Sequence, residues 1–271
     1  MSLFTLPLAA CQNAANVDLE SRNFNIQQTS IPPGEAAASA GQIASLVRRS
    51  GPSYVTLVVS QPTSSDTASK ETRKGTPVTS GSGFVVDGTG YVMTAAHVGK
   101  RIGNTVSARA ANGRVYSGYV IAITPDNDMA VIRLRGFSGK AVTPANSQCL
   151  SKGSMVYSLG RPHAQGDTAR LGEFLSPQYG KSVQYESEPN FGYLDAMVLR
   201  LSTQKGESGG PLFNETGELV GMVVSTLTID GQPLERAHAL PSRSLAGFLC
   251  SNMPCSEEWR AVAAGGGRCD Y

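Results

Sequence analysis

The chain has 271 residues, of which 40% are hydrophobic and only 16% charged, with a formal charge of +2 at neutral pH. The length suits one large domain or two small ones around a substantial apolar core, and the low charge excludes a coiled coil or a disordered chain. The near balance of charge, with Arg48-Arg49 and Lys100-Arg101 as isolated basic pairs, gives no footprint for nucleic acid, and no apolar run approaches a membrane span.

In chain order, Leu3 to Ala10 is a short apolar run ending in small residues just before Cys11. It reads as the end of a secretory signal, and Leu8-Ala9-Ala10-Cys11 resembles a lipobox that would make Cys11 a lipidated N-terminus. A frayed terminus is the plainer alternative. Lipidation would leave four of the five cysteines, Cys149, Cys250, Cys255 and Cys269, as disulfide candidates with three possible pairings. Cys250 and Cys255 are close enough to pair, Cys269 could reach either, and Cys149 needs a distant partner.

Gln12 to Gly34 is polar and reads as a tether, so residues 1–34 are set aside from the globular part. Glu35 to Arg49 carries Ile43, Leu46 and Val47 at helical spacing and stops at Gly51-Pro52. Tyr54 to Val59 is a strand, and Gln61 to Ser80 a long loop. Short β-type runs then recur: 83–86, 91–94, 105–108, 115–123, 129–134, 154–159, 196–201, 219–228 and 237–240. Asp87-Gly88-Thr89-Gly90 carries hairpin-turn chemistry. Gly136 to Ser147 is the best boundary between two β units, dividing 35–143 from 144–271. Helices over 242–251 and 256–263 close the chain.

Gly206-Glu207-Ser208-Gly209-Gly210-Pro211 is the most informative segment. A serine among glycines is ordinarily just a turn. An acyl-transfer nucleophile, however, needs a tight turn on which two backbone N–H groups converge, and Gly206 can adopt the angles required. Serine also needs a base. Of the three histidines, His97 follows a strand among small residues, His163 lies in a loop, and His238 sits in an apolar strand where a packed role is expected. Asp128, at the mouth of an apolar strand, is the candidate to orient the base, ahead of Asp126.

Thr94-Ala95-Ala96-His97, Asn127-Asp128 and Gly206 to Pro211 resemble, in content and order, the trypsin-like serine proteases. Gly81 to Val92, Val156 to Pro162 and Ala239 to Ser242 are most similar to bacterial HtrA-type and related peptidases. The resemblance covers roughly Gln42 to Leu249 and implies an all-β fold of two six-stranded antiparallel barrels with a C-terminal helix. It implies a serine endopeptidase with His97, Asp128 and Ser208 as triad and the N–H groups of Gly206 and Ser208 as oxyanion hole. It calls for a polypeptide substrate, and for no cofactor or metal. Too few residues follow the closing helix for a peptide-binding PDZ domain. Glu207 replaces the family's Asp or Asn; no zymogen cleavage is expected, and the partner of Glu207 is left open.

By register with the family, Ser202 and Thr203 fall near the base of the specificity pocket and Val224, Ser225 and Thr226 along one wall. Lys205 stands at the mouth, and His238 approaches from behind. No Asp lies at the base, so a small, apolar or acidic side chain is expected rather than Arg or Lys. The competing functions are a weak or inactive binding or adhesion module on the same scaffold, and a quality-control protease with holdase activity. The expected location is outside a bacterial cell membrane, periplasmic, lipid-anchored or secreted.

Overall fold

The computed structural model describes residues 24–28, 40–62, 76–163, 166–229 and 232–266. The candidates Cys11 and Cys269 and residues 63–75 of the expected 61–80 loop lie outside them, while Gln61 and residues 76–80 are strand rather than loop, with Gln61 paired to Thr76 across two adjacent strands. In chain order the elements are β1 (Asn25–Gln28), α1 (Ala40–Ser50), β2 (Tyr54–Gln61), β3 (Thr76–Val85), β4 (Tyr91–Thr94), α2 (Ala96–Gly99), β5 (Thr105–Arg109), β6 (Val115–Thr124) and β7 (Met129–Leu134). The second half adds β8 (Met155–Gly160), β9 (Thr168–Ser176), β10 (Val183–Tyr185), β11 (Glu188–Tyr193), β12 (Met197–Arg200), β13 (Pro211–Asn214), β14 (Leu219–Ile229), β15 (Gln232–Pro241), α3 (Ser242–Asn252) and α4 (Glu257–Ala263).

The fold is two closed antiparallel barrels of six strands each. The first runs β2-β3-β4-β7-β6-β5 and closes through β2 on β5. The second runs β9-β12-β15-β14-β13-β8 and closes because β9 is long enough to pair with both β12 and β8. Closure removes free edges, which an open sheet of this size would have to protect. Alternation inside the barrels explains the short β-type runs: Leu57, Val59, Val92, Ile132, Leu159 and Leu199 point inward and are fully buried. Tyr54, Tyr157 and Phe213 extend one apolar cluster across both barrels. Asp167 adds a polar tie, accepting from Arg109 of β5 at 3.0 Å.

Three departures from the sequence reading have physical causes. The tether contains β1, which pairs in parallel with β9 at Asn25–Thr168 through Gln28–Leu171. Its polar side chains give no hydrophobic alternation, so the signal resided in backbone pairing alone. β9 was not expected, since Glu173 and Arg170 break its apolar run, yet both are buried and ion-paired. β10 and β11 form a separate hairpin outside both barrels. The closing helices do form; Trp259 of α4 donates to Val86 O at 3.2 Å, and Cys250 is bonded to Cys255 across the turn between α3 and α4. Cys149 is also in a disulfide.

Close backbone packing makes some glycines irreplaceable. A Cβ on Gly172 of β9 would lie 1.9 Å from the carbonyl oxygen of Arg200 on β12. Gly172→Ala is therefore expected to cost about 1–3 kcal/mol in urea unfolding. Gly247, inside α3, faces open space, so Gly247→Ala should stabilise by about 0.5–1 kcal/mol in the same assay.

Candidate active site

His97 lies in the four-residue α2, which β4 delivers to the barrel rim. Asp128 follows a 3-10 turn with φ of +46°, a left-handed conformation uncommon outside glycine. The turn brings its fully buried carboxylate under the histidine. Oδ1 accepts from the His97 backbone N–H at 2.9 Å, and Nδ1 lies 3.0 Å from Oδ1 and 2.8 Å from Oδ2. A carboxylate only accepts, so Nδ1 carries the proton and Nε2 presents a lone pair.

Ser208 comes from the second barrel, on the turn between β12 and β13. Gly206 has φ of +98°, and a Cβ there would lie 2.4 Å from the carbonyl oxygen of Arg161. Ser82 of β3 ties the turn to the first barrel: its N–H donates to Ser208 O at 2.9 Å and its hydroxyl to Gly206 O at 2.8 Å. Gly209 N–H donates to Val223 O at 2.8 Å. The N–H groups of Gly206 and Ser208 have no acceptor among the described residues. The Ser208 hydroxyl donates to Val224 O at 3.4 Å. A phenol reaches the same carbonyl from the other side: Tyr185 OH lies 3.2 Å from Val224 O and donates to Asp128 Oδ2 at 2.6 Å.

Glu207 has a partner after all. Nε of Arg170 donates to its two oxygens at 2.9 and 3.1 Å, both side chains being almost wholly buried. Gln204 N–H adds a bond of 2.6 Å to Oε2. Burial pushes the Glu207 carboxyl up from its usual range, while Arg170 and the Gln204 amide pull it back. Arg170 in turn donates through its other branch to Gln27 of β1. An arginine between Ala169 and Leu171 was the available hint of a buried anion. Nothing in the sequence singled out Tyr185 or Tyr193.

Of the expected pocket residues, Thr203 and Thr226 meet, their hydroxyls 2.5 Å apart. Val224 is buried, whereas Lys205 is exposed. Ser225 and His238 are linked through Tyr193, whose hydroxyl lies 2.7 Å from Ser225 Oγ and 2.7 Å from His238 Nδ1. His238 is fully buried, its ring against Tyr179 and its Nε2 without a partner among the described residues. Burial lowers its pKa to about 4, against a smaller opposing pull from Asp195. His163 lies beside the Lys205-Gly206 segment: its ring Nε2 is 3.1 Å from Ser80 Oγ, and its N–H donates to Lys205 O at 3.1 Å.

Residues 81–222 match the family model described as a trypsin-like peptidase domain. The chain is 32% identical over 172 residues to a probable periplasmic serine endoprotease DegP-like of Buchnera aphidicola, covering 63% of this chain and 36% of that protein. It is 30% identical over 164 residues to the periplasmic serine endoprotease DegP of Salmonella typhimurium, covering 60% and 33%. The chain thus matches over about a third of the length of these relatives. Among solved structures, an HtrA-type protease with a decapeptide superposes with TM-score 0.63 at 20% identity, over 77% of this chain and 65% of that one. The Rv3671c protease in its inactive form gives 0.60 at 21%, over 81% and 98%. At such identities these two likenesses speak for the fold.

Two measurements follow from the buried charges. Arg170→Met leaves the Glu207 carboxylate uncompensated and should lower stability by about 3–5 kcal/mol in chemical unfolding, while Arg170→Met with Glu207→Met recovers much of it. Protonation of His238 is suppressed in the fold but not in the unfolded chain. Stability is therefore full above about 6.5 and falls as pH drops toward about 4. Thermal melts across that window should lose that part of their pH dependence in His238→Gln.

Proposed function

The chain belongs to the trypsin-like peptidase domain family, and on that premise we propose that it is a serine endopeptidase acting through an acyl-enzyme intermediate. One observation carries the reading: the imidazole of His97 is pinned through Nδ1 by a fully buried carboxylate, so that Nε2 is the free base. Its support is the glycine turn at Ser208, with two backbone N–H groups left for an oxyanion.

In the proposed reaction the Ser208 hydroxyl leaves the Val224 carbonyl, gives its proton to His97 Nε2 and bonds to the scissile carbonyl carbon. The N–H groups of Gly206 and Ser208 take the oxyanion, and Asp128 balances the imidazolium. His97 then protonates the leaving amine as the C–N bond breaks, and water reverses the sequence on the acyl-enzyme. Ser202, Thr203, Val224, Ser225 and Thr226 are read as the pocket walls, with Lys205 at the mouth. The Thr203–Thr226 hydroxyl contact favours a short side chain. We also read the chain as exported from a bacterial cell, with Cys11 as a candidate lipid anchor; the periplasmic names of its relatives support export.

A fluorophosphonate probe should label the wild-type protein, and Ser208→Ala should abolish labelling with an unchanged melting temperature. Absence of labelling in the folded wild type would overturn the enzyme reading. Peptide-library cleavage should not be dominated by Lys or Arg before the cut.

A further inference from the structure

The carboxylate of Asp128 is fully buried, and its hydrogen bonds reveal a group that the triad does not include. Oδ1 has two donors nearby, the His97 backbone N–H and Nδ1. Oδ2 shares Nδ1, which cannot point squarely at both oxygens. The short bond from Tyr185 OH at 2.6 Å therefore supplies Oδ2 with a donor of its own. The same phenol oxygen lies 3.2 Å from Val224 O, the carbonyl on which the Ser208 hydroxyl rests. The ring meets the His97 imidazole edge to face, with centroids 4.9 Å apart and planes at 66°. One side chain thus touches the acid and the imidazole, and reaches the carbonyl that parks the nucleophile.

We infer that Tyr185 is a positioning residue of this active site: it holds the Asp128 carboxylate in the plane of the imidazole and fixes the face of the ring. The inference rests on the serine-protease reading and adds to it a fourth side chain from outside both barrels. Tyr185 ends β10, and among the described residues the β10–β11 hairpin has no strand pairing to either barrel. Its docking is made by side chains: Glu188 of β11 pairs with Lys100 next to α2, and the Lys100 ammonium lies 5.4 Å from the Phe191 ring centre. Tyr193 packs edge-on to Tyr185, with centroids 6.0 Å apart. The phenol keeps its proton throughout the useful pH range, because burial and the Asp128 charge both push its ionisation far above the ordinary value. It is a permanent second donor to Oδ2, whose other donor among the described residues is Nδ1 at 2.8 Å.

The reaction requires that oxygen to stay in place. When His97 takes the serine proton, a positive charge appears on the imidazole, and it is stabilised only as far as the carboxylate stays close and coplanar. A carboxylate free to twist about its χ2 would give up the Nδ1 bond when it is most needed.

The test is Tyr185→Phe, which keeps the ring contacts and removes only the hydroxyl. Two readouts are taken: labelling kinetics with a fluorophosphonate, split into maximal rate and half-saturation, and the low-field proton NMR signal of His97 Nδ1–H, identified by its loss in Asp128→Asn. The expected result is a maximal rate lower by about 10- to 100-fold, the range set by losing a hydrogen bond to a charged group. Half-saturation should stay within about twofold, since the probe's binding groups are untouched, the melting temperature should fall by no more than the several degrees that losing one such hydrogen bond costs, and the Nδ1–H signal should shift or broaden. Labelling at the wild-type rate together with an unmoved Nδ1–H signal would overturn the proposal. If the wild type itself is not labelled, the serine-protease reading fails, and the NMR signal alone decides: a shifted signal upholds the positioning of Asp128 by Tyr185, an unmoved one refutes it.

Discussion

The turn that carries Ser208 is held from below by two opposite charges removed from water. Gly206 sits at φ of +98° and the residue after it is an acid, an arrangement with no intrinsic preference for one geometry. Glu207 fixes it by sinking its carboxylate onto Arg170 of β9 and the Gln204 amide. A pair like this adds little net stability, because desolvation offsets most of the attraction. What it provides is a steep penalty for any other arrangement. Flipping the turn would strand an anion in the core, so the turn keeps one geometry.

Other parts of the site depend on contacts from one barrel to the other. His97 and Asp128 come from the rim of the first barrel and Ser208 from the second, but neither half is complete by itself. Ser82 of β3 takes the backbone of the Ser208 turn into the first barrel's hydrogen-bonding, and Tyr185 carries a donor from the second half back to Asp128. The apolar cluster shared by the barrels supplies the adhesion, and these few polar ties set the register. Hydrophobic burial is roughly isotropic, whereas a hydrogen bond is directional, so the alignment of His97, Asp128 and Ser208 falls to the ties.

Much of this was legible in the residues. The short β-type runs Tyr91 to Thr94 and Met129 to Leu134 marked strands with the same limits that they have in the fold. The expectation of two six-stranded barrels holds, and His97, Asp128 and Ser208 stood out because few residue types can do their chemistry. What stayed hidden was pairing. Arg170 interrupts an apolar stretch and so obscured β9, although its presence there makes sense once Glu207 faces it. Tyr185, in a polar hairpin, carries no local mark at all. A hydrogen bond between residues 57 positions apart is a property of the assembled fold, and a side chain serving it looks like any surface tyrosine beforehand. β1 was missed for a related reason, since its four residues are held by backbone bonds that any sequence can make.

β1 brings the chain upstream of α1 into contact with this machinery. Its Gln27 carboxamide receives the branch of Arg170 that does not serve Glu207. This four-residue strand pairs with β9 from outside both barrels. The charge pair that holds the Ser208 turn therefore has a third partner, and it comes from a strand that belongs to neither barrel.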